Sequence, residues 1–215
     1  MKSRILALVA AMGAAASAFG QVHNETTDAG DMPGTSQAAV GVGPLTDIFG
    51  SVSVTTDADM FLINITNPAA FSASTNIAPG TMVDTTLYLF NLDGTGIAKN
   101  DDLTGSNFLS ELPVGNGAYA SLVPGQYYLA IAGFAFAPFW NNPPVTLADL
   151  MFDVNAFTGV QTPQNPGPIQ GWANAGMYDS GTYHITLTGA SMVPTPGALA
   201  LLGVAGLVAG RRRRA

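Results

Sequence analysis

Apolar and polar positions alternate with a period of two along several stretches of this chain, and only in a strand do successive side chains point to opposite faces. Phe49, Gly50, Ser51, Val52, Ser53 and Val54 alternate small or polar with apolar side chains, which predicts a half-buried strand after Pro44. Asp57-Ala58-Asp59 predicts a turn, and Met60 to Ile65 a second strand with Phe61, Ile63 and Ile65 on one face. In Thr85 to Leu92 both faces are apolar: Leu87 and Leu89 share one, and Tyr88, Phe90 and Leu92 the other. Such a strand belongs in the middle of a sandwich. Asn91 to Gly96 is a turn by composition, and Ile97-Ala98 returns before Asn100-Asp101-Asp102, so the pair reads as a hairpin. Gln126 to Phe134 sets Tyr127, Leu129 and Ile131 on one side. Gly181 to Leu187 turns Tyr183, Ile185 and Leu187 inward and His184, Thr186 and Thr188 outward. The predicted class is all-β, a β-sandwich.

Two stretches break the alternation. From Gln21 to about Gly43 the chain is polar and Gly/Ala-rich, and reads as an irregular lead-in or an early edge strand. From Ala135 to Ser180 it is rich in Pro, Asn and Gly, yet carries Phe136, Phe139, Trp140, Phe152, Phe157, Trp172 and Tyr178. Long loops of this kind in compact domains are functional or disordered. Trp140 and Trp172 could stack on sugar rings of an extracellular polysaccharide, or fold the loop down onto the sandwich.

The ends have a different grammar. Lys2 and Arg4 precede an apolar run from Ile5 through Ala18, and small residues follow, the pattern of a signal helix over residues 1–20. Ala18-Phe19-Gly20 fits a small-x-small cleavage site with Gln21 as the new N-terminus, and Ala16-Ser17-Ala18 is the alternative. At the other end Pro194 and Pro196 forbid a helix, so one is predicted to start near Gly197. Ala198 to Gly210 carries no charge, and its length of roughly 20 Å approaches the roughly 30 Å hydrocarbon core. With its flanks it makes a short transmembrane helix, and Arg211, Arg212, Arg213 and Arg214 would hold its end in the cytoplasm.

Val193-Pro194-Thr195-Pro196-Gly197, a short Ala/Leu/Gly helix and a terminal Arg cluster together resemble the PEP-CTERM sorting signal of Gram-negative bacteria. The resemblance implies passage through the inner membrane and processing by an exosortase-type enzyme. It also implies delivery of the body to the cell surface or extracellular matrix. Thr195 departs from the commonest form of the motif, which has Glu there.

Charge and cysteine content narrow the function classes. All 14 acids lie between the two ends, against Lys99 alone, so a nucleic-acid partner is excluded for want of basic residues, and divalent cations become plausible ligands. The chain has no cysteine, which removes disulfides, zinc-thiolate sites and thiol nucleophiles.

Four segments carry a second resemblance: Asp57 to Phe61, Asp84 through Gly94 to Asp102, Pro124 to Leu129, and Gly181 to Ile185. They are similar to the bacterial pre-peptidase C-terminal (PPC) domain, a jelly-roll-like β-sandwich appended to many secreted proteins. Residues 1–20 are then the signal, 21–45 the lead-in, 46–190 the PPC-like sandwich with an insertion at about 135–180, and 191–215 the sorting signal. The family implies an accessory or binding module, and some members hold calcium.

Asp57, Asp59, Asp84, Asp93, Asp101 and Asp102 sit at predicted turns, where they either cap the turn or supply oxygens to calcium. Asp101 and Asp102 lead that set as ligands, with Asp93. Only His23 and His184 could serve as imidazole bases, and neither lies in a nucleophile motif, so a catalytic role is not expected. Paired carboxylates leave a glycosidase as the third option, behind a structural or binding module and a carbohydrate-binding module.

Overall fold

The computed structural model describes residues 19–76, 80–141, 146–165, 167–174 and 179–195. The predicted signal run up to Ala18, Tyr178, Pro196, Gly197, the predicted transmembrane helix and Arg211 to Arg214 lie outside the described residues. Among the described residues no helix is long and apolar enough to cross a membrane.

The fold is all-β and sandwich-like. In chain order the strands are β1 (Gln21–Asn24), β2 (Gln37–Ala38), β3 (Leu45–Val52), β4 (Ala58–Ile65), β5 (Ser72–Ser74), β6 (Thr85–Phe90) and β7 (Gly96–Asn100). There follow β8 (Glu111–Leu112), β9 (Gly125–Gly133), β10 (Phe136–Phe139), β11 (Gly171–Asn174), β12 (Gly181–Thr188) and β13 (Ala190–Ser191). One sheet runs β1-β3-β12-β5-β8, and the other runs β13-β4-β9-β6-β7 with β2 also on β4. Residues 21–45, expected to be irregular or an early edge strand, contain β1, which pairs parallel with β3, and β2, which pairs parallel with β4.

Register explains how the core fills. β9 lies between β4 and β6, antiparallel to both, so Phe61, Leu129 and Leu89 form one row across three strands. These side chains join Ile63, Ile65, Leu87 and Ile131 from the same sheet and Ile48, Tyr183, Ile185 and Leu187 from the other in one buried cluster. Each fully buried side chain of this size contributes about 1.5–3 kcal/mol relative to an exposed one. The alternate positions of β6, Tyr88 and Phe90, are equally buried and point to the outer face. Across from Thr86 and Tyr88 β9 presents only Ala132 and Ala130, with Tyr128 opposite Phe90, and Phe136, Met151 and Phe152 of the segment after β9 pack in the same outer cluster.

The described residues of 135–180, the stretch expected to be an insertion, therefore form a third layer. β10 and β11 form its antiparallel ladder. Its far side runs along β7, where Lys99 and Gln161 exchange both backbone hydrogen bonds at 2.9 and 2.7 Å. An edge strand with unpaired backbone groups invites association, and this segment covers it. The β6–β7 turn works because Gly94 takes φ +83°, a conformation that costs other residues dearly.

Three local expectations change. Asp57-Ala58-Asp59 is not wholly a turn: Ala58 and Asp59 belong to β4, held by pairing with Ala132 and Ile131. Leu92 is exposed in the hairpin turn instead of facing the outer layer, and Val54 is exposed beyond the end of β3. His184 does face away from the core, yet it is covered by Phe49, whose ring stacks on it at 4.0 Å.

Candidate cation site

Six of the 14 acids gather in two groups. In the first, one carboxylate oxygen each from Glu25, Asp28 and Asp59 lies within 4.8 Å of the others; in the second the same holds for Asp84, Asp101 and Asp102.

The first group joins the two sheets. Glu25 follows β1, and its backbone N–H donates to Phe49 O on β3 at 2.8 Å. Its Oε2 accepts from Ser51 N at 2.8 Å and its Oε1 from Ala29 N at 2.9 Å, so the carboxylate is fixed by backbone donors of two segments. Asp59 comes from β4 in the opposite sheet and is fully buried. Its Oδ2 accepts from the Tyr183 hydroxyl at 2.6 Å, and its Oδ1 has no partner among the described residues. Gly50 makes the approach feasible: a Cβ there would fall on the Tyr183 hydroxyl and lie 2.7 Å from Glu25 Oε2. Asp28 stands exposed at the rim.

Among the described residues no cation acts on Asp59. Burial raises its pKa to about 8, and the neighbouring charges, Glu25, Asp57 and Asp28, push the same way. Burial likewise raises Glu25, against the two backbone donors that hold it. A buried carboxylate with a free oxygen, ringed by acids, is costly unless a positive charge or a proton compensates it. The donor set is all hard oxygen, which suits calcium, magnesium or manganese better than zinc or copper.

The second group already holds a cation. Lys99 Nζ lies 3.5 Å from Asp101 Oδ2, with both side chains buried, and also donates to Asp153 O and Ala156 O of the insertion. Thr86 Oγ1 donates to Asp101 Oδ1 at 2.6 Å. Burial raises Asp101, and the Lys99 ammonium opposes it. Asp84, raised to about 7 by burial and then by Asp101, Asp102 and Asp179, has one buried oxygen without a partner among the described residues.

The chain matches no protein-family model and no curated protein. What it can do is thus read from its own geometry.

Of the expected calcium ligands, Asp101 and Asp102 stand together and Asp93 stands apart. Asp93 is in the exposed β6–β7 turn, where its Oδ1 accepts from Thr95 N at 2.9 Å and Thr95 Oγ1 at 2.7 Å. Those bonds hold its pKa below the usual range, as expected of a turn cap. Asp84 takes its place in the group. Glu25 and Asp28 were not among the expected ligands, because they fall in a lead-in without apolar period; their only signal was two acids three positions apart after a short polar-apolar alternation.

Both tryptophans are half-buried and pack against the outer cluster. Trp172 stacks on Phe136 and meets Tyr88 edge-on, and its Nε1 donates to Asp31 O at 2.7 Å, tying the insertion to the segment that carries Asp28. Trp140 packs on the same outer cluster, with its ring against Gly167. His23 Nε2 pairs with Gln37 Oε1 at 2.8 Å. His184 Nε2 pairs with Asp47 Oδ1 at 2.7 Å, while its Nδ1 meets no hydroxyl among the described residues. At the predicted signal cleavage, Gly20 packs on Thr46 and Gln21 opens β1. Of the sorting motif, Val193 is buried and Pro194 and Thr195 are exposed.

Proposed function

We propose that this chain is an exported, non-enzymatic surface or matrix module: a PPC-like sandwich of jelly-roll type, braced by calcium and delivered by a PEP-CTERM-like tail. The observation that carries the calcium part is the Oδ1 of fully buried Asp59, which has no partner among the described residues, in a group of carboxylates that no cation of those residues compensates. Glu25, Asp28 and Asp59 would hold the ion, which would supply the missing positive charge between two sheets that otherwise meet there through the Tyr183–Asp59 bond. Free calcium is abundant outside cells, where sites of modest affinity suffice. An exosortase-type enzyme is the processing partner, and the inner membrane a transient station before the surface.

Thermal melting tests the calcium reading. With calcium at about 100 times Kd the melting temperature rises by roughly 5–10 °C over that in chelator. Asp59→Asn keeps the shape and removes a group that must take up a proton or a cation on burial, so it raises the melting temperature in chelator near neutral pH and abolishes the response to calcium. A wild-type melting temperature identical in calcium and chelator refutes the site. Export and sorting are tested by locating the full chain and a chain lacking residues 193–215, with the mass of the mature C-terminus.

A further inference from the structure

The sorting motif and the folded body share a residue. Val193 is buried; its N–H donates to Ala39 O at 2.7 Å, and its carbonyl accepts from Gly41 N at 3.0 Å. Met192 is buried beside it, with its N–H donating to Gly43 O at 3.0 Å. Just before them β13 pairs with β4 through Ala190 and Ser191, and the Ser191 hydroxyl accepts from Asn64 Nδ2 at 2.9 Å. Exposure begins only at Pro194.

A recurring way to grip an extended peptide is through its backbone N–H and C=O groups, as an added strand. Both groups of Val193 are already committed inside the sandwich. Reach is short as well: from Val193 to Ala198, where the charge-free run starts, five extended residues cover at most about 17 Å. The body would stand almost against the membrane, with no spacer to admit a second protein.

We propose that the folded sandwich masks the first residue of the sorting motif, and that the enzyme reading the tail acts on an end segment, residues 190–193, released from β4 and from residues 39–43. This rests on the sorting role given above. Processing then depends on how firmly that end is docked, so an unattached end is handled fast and a clamped one slowly.

Two variants of the full-length chain test this in a Gram-negative host that carries an exosortase-type enzyme, with the mass of the C-terminus followed over time after a pulse of synthesis. Inserting Gly-Ser-Gly-Ser-Val between Val193 and Pro194 keeps the docked valine and presents a second, free one before Pro194; processing is expected to speed up several-fold. Asn64→Cys with Ser191→Cys places the only two cysteines of the chain at touching side chains of paired strands; the oxidised form is expected to be processed several-fold more slowly, and reductant to restore the rate. Wild-type rates in both variants overturn the proposal. If wild type and the linker variant both keep their arginines, the sorting role itself fails and the masking with it. If only the wild type keeps them, masking is complete in the native fold.

Discussion

The Tyr183 hydroxyl donates to Asp59 Oδ2 across 2.6 Å, and this bond crosses the sandwich, since Tyr183 lies on β12 and Asp59 on β4. It is the only hydrogen bond that the fully buried Asp59 side chain makes among the described residues. Burial raises the tyrosine well above its ordinary pKa, so it remains the donor. Tyr183→Phe removes that donor and strands a second buried oxygen. The expected loss is about 1–3 kcal/mol, read as a lower urea midpoint with unchanged slope. Because the variant leaves Asp59 even more in need of a counter-charge, the loss in calcium is expected to be smaller than in chelator.

The pH dependence follows from the direction of the Asp59 shift. Its folded-state pKa of about 8 lies above its ordinary value of 3.8, so the folded chain binds the extra proton. Stability from this group is fully present below pH 3.8 and is lost as pH rises towards 8. Asp84, raised to about 7, acts in the same direction over a window that closes nearer neutrality. In chelator the melting temperature should fall from pH 5 to pH 8. A calcium ion bound as proposed would have to displace the proton, so its stabilising effect should grow over that range, and binding at pH 6.5 should release protons, measurable by calorimetry in buffers of different ionisation enthalpy. A calcium effect that shrinks as pH rises would place the ion elsewhere.

Why β6 was legible and the Glu25, Asp28 and Asp59 group was not is a matter of range. Leu87 and Leu89 against Tyr88 and Phe90 state two apolar faces within six residues, and a strand with two apolar faces needs cover on both, which β12 and the insertion supply. The turn after it announces itself through Asn91, Asp93 and Gly94. Asp59 carries the opposite local signal. Asp-Ala-Asp reads as a turn, and only the ladder to Ala132 and Ile131 pulls Ala58 and Asp59 into β4 and buries the carboxylate. Its partners Glu25 and Asp28 arrive through the parallel pairing of β1 with β3, a non-local contact with no periodic trace. The two-residue strands β2, β8 and β13 are too short to show any period at all. Asp93 enters the expected metal set through its place at a turn, and the same place explains it as a cap.

The indole of Trp172 separates packing from ligand binding by experiment. Trp172→Ala removes the stack on Phe136 and the bond to Asp31 O; since the ring is half-buried, the expected cost is about 2–3 kcal/mol. Trp172→Phe keeps a ring and loses only the donor, at about 1 kcal/mol. Denaturant titration should rank the variants in that order. A sugar platform would instead show full stability in both variants and lost binding on a glycan array.

Lys99 gives the sharpest test of how the third layer is held. It is the one lysine of the body, buried with its ammonium between Asp101 and the carbonyls of Asp153 and Ala156, so it links the β6–β7 hairpin to the insertion. Burial lowers its pKa and Asp101 opposes that, the signature of an ion pair sheltered from water. Removing one partner of such a pair costs more than the pair contributes, because the other charge stays behind. Lys99→Met is expected to cost about 3–5 kcal/mol. Asp101→Asn in the same chain removes the stranded charge while still accepting from Thr86, so the double variant should be more stable than Lys99→Met alone, with a coupling of about 2 kcal/mol. Hydrogen exchange should locate the damage: amides of Gln161 and Asp102, which bond across to the strand and the loop, should lose protection first in Lys99→Met and regain it in the double variant. Equal instability of the single and double variants would mean that the lysine stem, not its charge, holds the insertion.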